Sequence, residues 1–214
     1  GETSPSPRPR GPAPPASWPL AGSSLLAPRP DPPRFYLLSP IPSGERTEHG
    51  REAIALGIGP ILFPEYLDRP EVVIRTGPNQ VALSETDRWA EPLKGGFKRV
   101  LADNLGDLLR TERILQFSWY RDVRVDYQVH ASVQRSDTDA AGNAVLVVCW
   151  GLKGRGGEAY LRLQETRYES SGGSSDPAAN AGALSECLAA FSRDVARAIA
   201  RIEAGAATLS GAAR

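Results

Sequence analysis

Side chains able to do covalent or metal chemistry are few in this sequence. It has two histidines, His49 and His130, and two cysteines, Cys149 and Cys187, with no spacing that matches a zinc site. Cys149 lies in the apolar run Ala144–Trp150 and Cys187 on a helical apolar stripe, so both read as buried small hydrophobes. A disulfide between them remains open and would need Cα atoms closer than about 7 Å. His130 falls on the polar side of an alternating strand, where a solvated imidazole is the plain expectation. Glu65 and Asp68 could form a carboxylate pair for acid–base work, but nothing around them marks them as buried. There is no Gly-x-Ser-x-Gly elbow, no Gly-x-x-x-x-Gly-Lys-Ser/Thr phosphate loop and no His-Glu-x-x-His helix. Gly57-Ile58-Gly59 runs into Pro60 rather than a helix, and Gly154-Arg155-Gly156-Gly157 sits between two strands, where glycine permits a turn. The expectation is a protein without catalytic residues, metal or cofactor.

A different kind of chemistry is concentrated elsewhere. Tyr66-Leu67-Asp68-Arg69-Pro70 and Asp87-Arg88-Trp89-Ala90-Glu91-Pro92 place aromatics, arginines and carboxylates beside prolines. Proline restricts a loop and lowers the entropy cost of presenting it, and arginine and aromatics are enriched at interface hot spots. Tyr66, Asp68, Arg69, Arg88 and Trp89 are therefore the candidate interaction residues. Two readings are open and compatible: an internal arginine–carboxylate clamp holding a hairpin to a helix start, and a contact surface. On the second, Arg69→Ala or Trp89→Ala weakens assembly.

These residues must be carried by a folded body. The 214 residues include 25 Lys+Arg and 25 Asp+Glu, a net charge of zero, which argues against a general polyanion binder such as a nucleic-acid protein. Hydrophobic residues make up 41%, enough for a packed core. No run approaches the roughly 18 apolar residues of a membrane-spanning helix. Methionine is absent even at position 1, which reads as a trimmed chain. Eleven of the 19 prolines fall in residues 1–34, a stretch that can neither form a helix nor join a central sheet and is expected to be a disordered tether. A domain over 35–207 and a tail over 208–214 complete the expected organisation.

Within the body, Phe35–Leu38 and Ala53–Pro60 read as strands, the second apolar enough to be central and with two glycines that let something approach its backbone. Glu71–Arg75 and Gln80–Ser84 flank the turn Thr76-Gly77-Pro78-Asn79 as a hairpin. Phe97, Val100, Leu101, Leu105, Leu108 and Leu109 form one helical face, with Lys98, Arg99, Asp103 and Asp107 largely opposite. A strand at Ile114–Trp119 precedes strict alternation from Val123 to Gln134, then a turn over Asp137–Asn143. Ala144–Leu152 is apolar on both faces, and Ala159–Tyr168 follows it in an antiparallel meander. After the Gly/Ser linker 170–175, Asp176-Pro177 starts a helix whose stripe runs from Leu184 to Ile202, with Gly205 as its stop. The expected fold is an α/β (α+β) sandwich: a mostly antiparallel sheet of six to seven strands with two amphipathic helices on one face. The other face is left wet or for a partner.

The stretch Gly57-Ile58-Gly59-Pro60-Ile61-Leu62-Phe63-Pro64-Glu65-Tyr66-Leu67-Asp68-Arg69-Pro70 resembles the signature of the ABC-type transport auxiliary lipoproteins, the PqiC (YmbA-like) family. Ile74–Leu83, Arg88–Leu93 and Phe97–Leu105 continue the resemblance in order, which spans roughly 35–202. It implies a periplasmic lipoprotein of a Gram-negative bacterium, a membrane-integrity-associated transporter subunit. An acylated cysteine upstream of Gly1 would hold it to the inner leaflet of the outer membrane. It further implies an accessory role to an MCE-type tube protein of a lipid transport system, a homo-oligomeric ring and no catalytic residues. A periplasmic lipid- or peptide-binding module is the alternative, which requires a closed apolar pocket.

Overall fold

The computed structural model describes residues 31–42, 54–117, 123–155, 160–172, 174 and 176–211, with side chains to 205 in the last helix. The chain divides into two units, Gly1–Asp31 and Pro32–Arg214, and the strands and helices belong to the second. The tether over residues 1–30, the loop holding His49, Ala53, Trp119, and the turn residues 156–159 lie outside the described residues.

Eight strands and two helices follow in the order β1 (Arg34–Tyr36), β2 (Leu56–Leu62), β3 (Glu71–Gly77), β4 (Gln80–Trp89), α1 (Leu93–Leu109), β5 (Ile114–Gln116), β6 (Tyr127–Asp139), β7 (Asn143–Gly154), β8 (Tyr160–Ser171) and α2 (Pro177–Gly211). The strand count exceeds the expected six to seven, and the sheet is mixed. β6, β7 and β8 form the expected antiparallel meander, from Tyr127↔Gly154 to Thr138↔Ala144 and from Lys153↔Tyr160 to Asn143↔Ser171. The free edge of β6 serves two neighbours. Its first half runs parallel to β2 (Leu56↔Tyr127 to Leu62↔Ser132), and its end runs parallel to β3 (Ile74↔Thr138, Arg75↔Asp139). β5 then pairs parallel with β2, β4 antiparallel with β3, and β1 parallel with β4. The sheet therefore forks, and residues 63–70 connect its two branches.

Alternation along β6 puts Val129, Ala131 and Val133 in the core opposite Leu152, Trp150 and Val148 of β7. A register shift between Val133 and Arg135 then changes the parity. Ser136 and Thr138 take over the helix-facing side, and Arg135 and Asp137 turn to the opposite face. The expected turn at Asp137 is thus the end of a 13-residue strand, and chain reversal falls at Ala140–Gly142. Cys149 is half-buried on that opposite face, not in the core, because it sits at an odd position of β7; Cys187 is buried, and both thiols are free.

Helix α1 buries the six expected apolar side chains, and Arg110 at φ 51° ends it in the left-handed region. α2 buries Leu184, Cys187, Leu188, Phe191, Val195 and Ile199. It continues through Gly205 to Gly211, because an interior glycine costs a helix only about 1 kcal/mol and alanines follow it. Phe191 is fully buried, with Trp150, Phe97 and Tyr168 ring centres 5.7, 6.1 and 6.0 Å away. Buried Asn104 ties the layers: it accepts from the Ile41 amide (2.8 Å) and donates to Ser192 Oγ on α2 (3.0 Å). Among the described residues no helix is long and apolar enough to cross a membrane.

Candidate interaction surface

The proline-bracketed segment 64–70 occupies the fork. It opens with a single 3-10 turn, Glu65–Leu67, whose Leu67 anchors it in the core at 2% exposure. The Trp89 amide donates to the Pro70 carbonyl (2.7 Å), so the segment is stitched directly to the end of β4.

Tyr66 reaches across the fork and its hydroxyl donates to Asp137 Oδ2 (3.2 Å). Asp137 is fully buried on the face opposite the helices and carries three donors. Arg75 of β3 contacts it through Nη2 at 2.8 Å, and Arg135 through Nε at 2.7 Å. The carboxylate so placed is charge-compensated and its acceptor sites are filled, as burial demands. Burial, and then the Asp137 carboxylate, hold the Tyr66 phenol above its ordinary pKa, while the Asp137 hydrogen bonds hold Arg75 further protonated. Parallel pairing of β3 with the end of β6 is what brings these groups together. Asp137 was legible in the sequence only as a turn residue, and no local signal marks it.

The other expected residues fall around this centre. Arg88 pairs with Glu71 across the β3–β4 hairpin (2.6 Å). Glu71 is held below its ordinary carboxyl value by its own backbone amide and then by Arg88. Trp89 is in the core at 7% exposure. Asp68 is exposed, and Arg69 is half-buried with an Nε that has no hydrogen-bond partner among the described residues. Beside them, Asp87 gathers Arg34 Nε (2.9 Å), Tyr36 Oη (3.3 Å) and Ser84 Oγ (2.6 Å), which fixes β1 to β4. Arg99 grips Glu91 (2.6 Å) at the start of α1, over Gly96, where a Cβ would stand 3.1 Å from that carboxylate. Arginine–carboxylate clamps thus do hold the hairpin and the helix start. They leave Asp68 and Arg69 as the members of the motif with unused polar capacity.

Of the two β2 glycines, Gly59 meets the close approach expected. Gly59 has φ +108°, and a Cβ there would stand 2.9 Å from Phe117 Cβ; Gln128 Nε2 donates to its carbonyl (2.8 Å). Next to this, His130 Nε2 is buried without a partner among the described residues, and its ring meets Tyr160 edge-on at 5.6 Å. No hydroxyl or thiol nucleophile is hydrogen-bonded to it among the described residues. Away from His130, a cleft of about 1120 Å³ lies beside Asp103, Asp107, Arg110, Glu112 and Arg113, and another of about 310 Å³ lies between β8 and α2. Charged and polar side chains line most of both, which is not the closed apolar pocket that lipid capture needs. No group of three or more His, Cys, Asp or Glu side chains is arranged to hold a metal among the described residues.

The family model for the ABC-type transport auxiliary lipoprotein component matches residues 36–196. A crystal structure of an uncharacterised protein superposes with TM-score 0.65 at 19% identity, covering 79% of this chain and 99% of that one. A Xanthomonas campestris protein of the DUF330 family superposes with TM-score 0.61 at 17% identity, covering 80% and 99%. At these identities the two structures speak for the fold. No curated protein matches the chain.

Proposed function

This chain belongs to the family of ABC-type transport auxiliary lipoprotein components, and we propose that it serves as a non-enzymatic accessory subunit of an MCE-type, PqiABC-like lipid transport system. In this reading the body sits in the periplasm, held to the inner leaflet of the outer membrane by an N-terminal lipid anchor. The proline-rich 1–34 segment is the spacer, and the folded body docks the tube protein as a homo-oligomeric ring.

The observation that supports docking is the fork segment. Tyr66 and Leu67 tie it down, Arg88–Glu71 and Trp89 brace it, the exposed Asp68 carboxylate is left to bond outward, and half-buried Arg69 keeps a buried Nε without a partner among the described residues. A rigid, prepaid loop with unsatisfied charged donors is what a protein contact uses. Arg69→Ala and Asp68→Asn test it, measured by native mass of the purified body and by pull-down of the co-expressed tube protein. Assembly should fall with folding intact. Unchanged native mass and unchanged pull-down in both variants refute the assignment of this surface. Trp89→Ala is not a clean test, since its loss acts on the core.

A further inference from the structure

The helix–sheet interface is apolar along β7 but changes character at β8. The register places Tyr168, Thr166, Gln164 and Arg162 beside Leu146, Val148, Trp150 and Leu152, on the side that faces the helices. Three of these four positions are polar where an apolar side chain would pack against α2. The helix answers with Asp194, Arg197 and Arg201, spaced i, i+3, i+7 on one stripe. With Arg162 and Gln164 these three line the cleft of about 310 Å³, with buried Ala198 at its wall.

Each side of this cleft is orientated from below. Arg162 lies over the Trp150 ring (5.7 Å) and forks onto Gln164 Oε1, with Nε at 2.9 Å. Gln164 and the Trp150 indole both donate to Thr166 Oγ1, at 3.1 and 3.2 Å. Asp194 accepts from Tyr168 Oη (2.8 Å) and pairs with Arg197. Arg201 pairs with no carboxylate among the described residues. Three guanidiniums against one carboxylate leave a local charge of +2 in a chain that is neutral overall. Arg197 and Arg201 are i, i+4, a like-charge spacing that costs a helix stability unless an anion relieves it. Guanidinium forks match the oxygens of a tetrahedral oxyanion.

We propose that the cleft formed by Arg162, Arg197 and Arg201 binds a phosphate group, carried either by a lipid headgroup or by a small soluble phosphoester. The site lies on β8 and α2 and does not depend on the docking reading of the fork segment. The test uses the 214-residue chain and the Nε–Hε resonances of its arginines. sn-Glycerol 3-phosphate, titrated at constant ionic strength, should shift the Arg162 and Arg201 signals saturably. Arg162→Gln combined with Arg201→Gln should weaken binding at least about tenfold, the loss expected for charge-assisted hydrogen bonds. Arg167→Gln, on the opposite face of β8, should leave it unchanged, and circular dichroism checks that each variant folds. Sedimentation with phosphatidylglycerol vesicles separates the two sources. Vesicle binding lost in the double variant assigns the site to headgroups. Small-molecule binding without vesicle binding assigns it to soluble phosphoesters. The proposal is overturned if no saturable shift and no vesicle binding occur, or if whatever binding occurs survives the double variant. Neither result bears on assembly through Arg69.

Discussion

Asp137→Asn is the sharpest perturbation the structure offers. It keeps the size of the side chain and removes one charge from a group with no exposed surface. Arg75 and Arg135, whose side chains are 22% and 24% exposed, then face each other without their shared counterion. Breaking a buried pair by neutralising one partner costs about 3–5 kcal/mol. Partial exposure of both arginines favours the lower end, about 3 kcal/mol. In a domain of this size that lowers Tm by about 6–12 °C. Urea unfolding followed by circular dichroism measures the difference, with m unchanged if only the folded state is affected. Tyr66→Phe removes only the hydroxyl donor and should cost about 1–2 kcal/mol. Because Tyr66 bonds to the same carboxylate, the two losses should not add, and the double variant should be milder than their sum. A cost under about 1 kcal/mol for Asp137→Asn, or strict additivity with Tyr66→Phe, would refute the view that this buried carboxylate holds the fork segment in place.

Three other outcomes are expected. Gly59→Ala forces a side chain into a φ of +108° and against Phe117, and should destabilise by about 1–3 kcal/mol in thermal unfolding, whereas Gly205→Ala on the exposed helix should be neutral or stabilising. His130 is held below its ordinary value of 6.5 by burial and then by Lys153. Its folded pKa lies under its unfolded one, so its contribution is complete above about pH 6.5 and is lost as pH falls through the folded value. His130→Gln should therefore lose less stability than the parent between pH 7.5 and pH 5 in urea titrations. Among the thiols, burial pushes Cys187 up to about 11, and Cys149 is raised by its hydrogen bond to Glu165. A disulfide reagent at pH 8 should label Cys149 in the folded protein and Cys187 only after unfolding, and Glu165→Gln should speed Cys149 labelling.

How much of this was legible depended on whether a signal was local. The stripe Phe97–Leu109 and the alternation Tyr127–Val133 came out as read, since each reports one periodicity on one buried face. In place of one clamp from hairpin to helix start, two local pairs form, Arg88–Glu71 across the hairpin and Arg99–Glu91 at the helix start, and neither carboxylate could be matched to its arginine from order alone. Asp137 was misplaced for a specific reason. A register shift at the middle of β6 reversed which residues faced the core, and a polar pair facing an occupied fork looks the same in sequence as a solvated turn. β1 and β5 fall at the strands read over Phe35–Leu38 and Ile114–Trp119 but are only three residues each, because the period-two pattern does not mark where pairing stops. The arginine cleft was invisible for the same reason as Asp137: Arg162, Arg197 and Arg201 look like ordinary surface charges until β8 and α2 are laid together.

The amino-acid order by itself determined the helices, the strand periodicities, the motif over 57–70 and hence the family. These rest on interactions between residues a few positions apart, or on residue types alone. Folding in three dimensions decided that β2 and β3 share one edge of β6 and that two arginines and a tyrosine converge on Asp137. It also decided which charged side chains of the motif stay free. Arg135 is only two residues from Asp137, but Arg75 and Tyr66 are 62 and 71 positions away, and such distant partners are selected by sheet register and packing, which no local pattern encodes.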